Sequence, residues 1–135
     1  MKIDTDYLKG FLKACQDSKK PFTNIHELRK AGFDCQDEQF IFHLQILEDQ
    51  GLVQEATDRD LGYEFTAGGK LVWREKPLRL TAAGHEFIGN LEKSEIWEII
   101  KKDFTHESIG TLIEVAKNLA IGFAKERLNK YLTKV

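Results

Sequence analysis

The stretch Phe40-Ile41-Phe42-His43-Leu44-Gln45-Ile46-Leu47-Glu48-Asp49-Gln50-Gly51-Leu52-Val53 decides the fold. Phe40, Ile41, Leu44 and Leu47 recur at helical spacing, so one face of this segment is built for a core. Gly51 then stops the helix, because glycine alone takes a left-handed backbone without steric cost. Directly after it, Leu52-Val53-Gln54-Glu55-Ala56 reads as a strand. A helix that ends in glycine and passes straight into a strand fixes the geometry of everything around it.

Upstream lie two more helices. Residues 4–19 open with Asp4 as N-cap and place Tyr7, Leu8, Phe11, Leu12 and Cys15 on one side. Lys19, Lys20 and Pro21 end that run, and Thr23 or Asn24 caps a short helix through Ile25, Leu28 and Arg29 that stops at Gly32. The third helix spans residues 36–50. Downstream, residues 63–66, 70–74 and 78–81 are extended pieces separated by turn-rich segments, giving two or three antiparallel strands in one ribbon. Thr81 caps a fourth helix over residues 82–91. Ser94 starts a fifth helix reaching Phe104, and Glu107 or Ser108 starts a last one reaching about Leu132.

Three helices, a ribbon and a return helix in that order predict a mainly α fold with a small β-ribbon, a winged helix-turn-helix with a helical C-terminal extension. The expected division is a winged-helix domain over 1–92 and an oligomerisation element over 93–135. Leu78-Arg79-Leu80-Thr81-Ala82-Ala83-Gly84-His85-Glu86-Phe87-Ile88 adds a second signature, a strand whose threonine caps a helix. Together with Ser94-Glu95-Ile96-Trp97 and the terminal helix, these stretches resemble a family of small bacterial and prophage proteins known as domain of unknown function two-five-one-three. The resemblance runs over nearly the whole chain. It implies a phage or mobile-element origin and no particular activity.

The charge pattern bears on function. From Ala31 to Asp58 there is no lysine or arginine, while Asp34, Asp37, Glu38, Glu48, Asp49, Glu55 and Asp58 supply seven acids. A third helix that docks in a DNA groove needs the opposite sign, since phosphate neutralisation dominates affinity. Residues 1–92 carry net charge −4 and residues 93–135 carry +2. The reading that follows is a non-enzymatic regulator or adaptor working through protein contacts. Its contact surface is either the acidic third helix, with Glu38, Phe42, Ile46 and Asp49 as partner-binding residues, or the C-terminal helix. Phe42 and Ile46 lie opposite the Phe40, Leu44, Leu47 stripe, either packed on the first two helices or exposed as a patch. The rival is a transcription regulator gripping DNA through the wing of a dimer, with Gln39 and His43 reading bases and Arg59, Lys70 and Arg74 on phosphates.

The terminal helix carries Ile109, Leu112, Ile113, Ala116, Leu119, Ala120, Phe123 and Leu128. That stripe is longer than a three-helix core needs, and Ala116, Ala120 and Ala124 allow close helix approach. It either folds back on its own chain or forms a homodimer seam through Leu112, Ala116, Ala120 and Phe123.

Catalytic motifs fail on inspection. His85-Glu86 lacks the second histidine of a zinc-protease helix, because position 89 is glycine. Gly68-Gly69-Lys70 lacks the first glycine of a phosphate loop, since position 64 is glutamate. Cys15 and Cys35 have no CxxC spacing and read as inert thiols of a cytoplasmic protein. No cofactor, metal or membrane partner is expected. Protein purified without a histidine tag should show no stoichiometric metal by elemental analysis, and one zinc per chain would overturn that expectation.

Overall fold

The computed structural model describes residues 1–57 and 59–133; Asp58, counted above among the seven acids, and the last two residues of the 93–135 extension lie outside the described residues. The chain is mostly helical with two small antiparallel sheets. It divides into two compact units, residues 1–85 and residues from 86 onward.

In the first unit, α1 (Thr5–Gln16) begins where Asp4 Oδ1 accepts the Tyr7 N–H at 3.1 Å. Its stripe Leu8, Phe11 and Leu12 is buried. The cap of α2 (Ile25–Lys30) is Asn24, whose Oδ1 accepts the Glu27 N–H at 2.9 Å. Gly32 at φ 99° then lets the Phe33 N–H return to the Leu28 carbonyl at 2.9 Å. α3 (Glu38–Asp49) starts two residues later than its hydrophobic spacing suggests. The reason is local: Asp34 holds the Gln36 N–H on its side chain and the Asp37 N–H on its carbonyl, so these residues form a turn. Phe11 and Phe40 meet edge to face at 5.3 Å between ring centres and tie α1 to α3.

The extended segment is divided into two pairs of strands where one ribbon was expected. β1 (Val53–Glu55) pairs with β4 (Leu78–Leu80), and β2 (Tyr63–Phe65) pairs with β3 (Leu71–Trp73). Thr23 joins β4 on its other edge through reciprocal backbone bonds with Leu78 of 2.7 and 2.8 Å. Two features separate the pairs. Pro77 has no N–H to extend the inner ladder. Glu55, 2% exposed, ends β1 by turning its carboxylate onto the Thr57 hydroxyl at 2.5 Å and the Arg59 N–H at 2.9 Å. The Thr57 hydrogen bond, more than any other contact, holds that carboxyl below its usual range.

α4 (Ala82–Leu91) leads into the second unit, which holds α5 (Ser94–Ile99), a π-helical turn (Ile100–Phe104) and α6 (Ile109–Leu132). The expected fifth helix over residues 94–104 therefore changes its winding at Ile100. Ser108 Oγ caps α6 by accepting the Thr111 N–H at 3.2 Å. The first turns of α6 pack on α5 and the π turn, burying Ile109, Leu112 and Ala116. Among the described residues no helix is long and apolar enough to cross a membrane.

Gly84 presses its Cα against the backbone of Leu52, and a Cβ there would collide with the Leu52 carbonyl oxygen. Backbone cannot swing aside as a rotamer can, so Gly84→Ala should cost about 3 kcal/mol. Gly89→Ala, with open space around its Cβ position, should instead gain about 0.5–1 kcal/mol in the same helix. Urea denaturation of both variants checks the contrast, and two equal effects would refute it.

Candidate functional site

The surface that sequence reasoning singled out is one face of α3. Glu38, Phe42, Ile46 and Asp49 fall on it at helical spacing, with Glu38 and Asp49 exposed and Phe42 and Ile46 half-buried. The buried side of the same helix is Phe40, His43, Leu44 and Leu47. Phe42 and Ile46 are therefore at the edge of the core, with part of each ring or chain facing outward. The outer hairpin leans on a neighbouring side of α3: Trp73 meets Phe40 edge to face at 5.2 Å, and the Tyr63 hydroxyl donates to Glu48 at 3.1 Å. Gln45 donates to that same hydroxyl at 3.5 Å, so two polar residues of α3 are held by the hairpin.

His43 does not belong to the outer face. It is fully buried, its Nδ1 is 2.7 Å from the Gln39 carbonyl, and its Nε2 accepts the Asp4 N–H at 3.0 Å. Only the neutral ring with its proton on Nδ1 satisfies both partners. The expectation that His43 reads a base is corrected accordingly, because neither nitrogen is available to a ligand. Gln39 remains exposed.

The cations proposed for phosphate contact are partly spent within the hairpin. Arg74 pairs with Glu64 at 2.8 Å and Lys76 with Asp60 at 3.0 Å. Arg59 and Lys70 make no ion pair among the described residues. Two charges at the hairpin, beside an α3 face bearing Glu38 and Asp49, leave little to offset phosphate repulsion.

The proposed seam on α6 also needs correction. Leu112 and Ala116 are buried inside the second unit, so neither is open to a second chain. Ala120 and Phe123 are half-buried. What sequence reasoning missed is a separate exposed set, Ile121, Leu128, Tyr131 and Leu132. The spacing of Ile121, Leu128 and Leu132 carried that signal, but a stripe drawn through Leu128 and the packed residues absorbed it.

No other chemistry-bearing set converges among the described residues. Among the described residues no three His, Cys, Asp or Glu side chains approach one another as metal ligands would. Burial pushes the Cys15 thiol up to about 12, and burial together with Asp34 raises that of Cys35, so both are protonated at neutral pH. A groove of about 640 Å³ at the junction of α1 and α2 is lined by Lys19, Lys20, Phe22 and Lys30, without a nucleophile and base in contact.

A family model described as Hypothetical protein (DUF2513) matches residues 2–110. The chain belongs to that family. The DUF2513 match takes in both sheets, α4, α5 and the π turn, and stops two residues into α6. The resemblance read from the sequence had included the terminal helix, most of which the family segment leaves out. No curated protein and no solved structure matches the chain.

The environment of His43 makes stability depend on pH. Burial depresses its pKa below the ordinary histidine value, outweighing the Gln39 hydrogen bond and Asp4. The unfolded chain therefore binds this proton first as pH falls. The contribution is complete above the ordinary value near 6.5 and drains away as pH drops from there through the lower folded value. His43→Gln should be less stable at pH 7 yet show a flatter acid limb below about pH 6.5, measured by thermal unfolding across pH. An unchanged slope would refute this.

Proposed function

We infer that this chain is a non-enzymatic winged-helix regulator or adaptor that acts mainly through protein contacts. The topology supports the winged-helix part: three helices, Thr23 and β1 on either side of β4, a β2–β3 hairpin beside α3 in the place of a wing, and α4 returning after β4. The observation that carries the functional part is the open face of α3. In this fold α3 is the helix that would enter a DNA groove, yet here its exposed charges are Glu38 and Asp49, its outward apolar residues are Phe42 and Ile46, and its one histidine is sealed inside. Half-buried aromatic and aliphatic side chains ringed by carboxylates suit a protein partner that supplies apolar groups and cations.

A DNA-binding regulator is the second reading, favoured by Arg59 and Lys70, which make no ion pair among the described residues. A photo-crosslinking amino acid placed at Ile46, in cells that express the chain, discriminates the two. The expected result is a discrete set of protein adducts, with negligible retardation of duplex DNA by the purified chain at physiological salt. Crosslinks to DNA, or sub-micromolar DNA affinity with a steep salt dependence, would overturn the protein-contact reading.

A further inference from the structure

α6 has two apolar sides. Ile109, Leu112 and Ala116 face its own unit, while Ile121, Leu128 and Leu132 recur at i, i+7 and i+11 roughly 140° around the helix from Ala116. Those three are 43%, 56% and 63% exposed, a concentration of bare large side chains on one helix end that a monomer has no reason to keep. Lys117 and Lys125 fall on either side of this stripe, and Arg127 and Lys130 lie further round. Against these four cations, residues 117–133 hold one acid, Glu126. None of the four makes an ion pair among the described residues.

We propose that the Ile121–Leu128–Leu132 stripe of α6 docks on the Glu38–Phe42–Ile46–Asp49 face of α3 in a second copy of this chain. The α6 stripe runs over eleven residues, or ~16 Å of helix, which is also the separation of Glu38 from Asp49 on either side of Phe42 and Ile46. One is apolar with flanking cations and the other is apolar with flanking acids. Charge decides the pairing among the self-contacts available. α6 against α6 sets Lys125 near its own counterpart, and α3 against α3 does the same with Glu38 and Asp49, whereas α6 against α3 brings opposite signs together. A two-fold axis makes the contact twice, once in each direction, and closes the assembly as a dimer. The proposal rests on the α3 contact face inferred above and names its occupant.

Sedimentation velocity of the full chain tests it, over a wide concentration range at about 50 mM and about 500 mM salt. A dimer weakened by salt is expected. Leu128→Asp, at an exposed position, should weaken it at least about tenfold, with circular dichroism unchanged. Two charge variants complete the test: Glu38→Lys with Asp49→Lys in one chain, and Lys117→Glu with Lys125→Glu in another. Each alone should be monomeric, and an equimolar mixture should restore the dimer, because every α3–α6 contact then regains opposite charges. A wild type that stays monomeric overturns the proposal, as does a dimer that survives Leu128→Asp or either charge variant alone. Those failures leave the protein-contact reading intact, since that reading falls only to crosslinked or tightly bound DNA.

Discussion

The first unit hangs on one backbone junction, where the end of α3, the start of β1, the end of β4 and the start of α4 are joined by four hydrogen bonds. Gly51, at φ 68°, turns the chain so that the Leu52 N–H bonds back to Leu47 at 2.8 Å. The Leu52 carbonyl accepts the Thr81 N–H at 2.9 Å, and the Thr81 hydroxyl donates to the Gly51 carbonyl at 2.6 Å. The same hydroxyl oxygen accepts the Gly84 N–H at 3.1 Å and so starts α4. One threonine thus supplies a partner to a helix end and to a helix beginning. Gly84 lies flat against Leu52 because any side chain would separate the two segments.

The position of α3 follows from this junction and from His43 at the helix's middle. Asp4 caps α1 with its side chain while its backbone N–H is held by His43, so the start of α1 and the centre of α3 cannot shift independently. Tyr7 lies tilted beside the same ring at 4.5 Å and meets Phe33 edge on at 5.1 Å. With its inner side fixed by aromatic packing and a neighbouring side held by Tyr63, α3 presents Glu38, Phe42, Ile46 and Asp49 as a rigid strip. Rigid presentation lowers the entropy lost when a partner binds.

The helices were legible because their signals are local. Asp4, Asn24 and Ser108 cap where their side chains reach the next backbone donors, and Gly32 and Gly51 stop helices where left-handed backbone is required. On α3 the exposure of Glu38 and Asp49 was legible from their charge, whereas spacing left Phe42 and Ile46 open between core and surface, and the structure has them half-buried. Features that depend on residues distant in sequence were not legible. The divided ribbon turns on Pro77 and on where Glu55 finds its partners, and His43 is inside because Asp4, thirty-nine residues earlier, needs an acceptor. Polar residue types at those positions look equally suited to the surface. On α6 the failure was of another kind, since two apolar faces on one helix blur into a single wide stripe when read by composition. Only packing on α5 and the π turn separates the side that is used from the side left bare.

The Thr23–Leu78 bridge sets an order on how this protein is made. Thr23 sits between α1 and α2, yet its backbone partners arrive with β4, fifty-five residues later, and β1 waits for the same strand. A chain synthesised from its N-terminus can wind its first three helices early, but the sheet beneath them cannot close until Leu80 has emerged. Until then Val53 lacks its partner strand and the Leu52 carbonyl lacks its Thr81 donor. α6 follows only after the surface formed by α3 is complete.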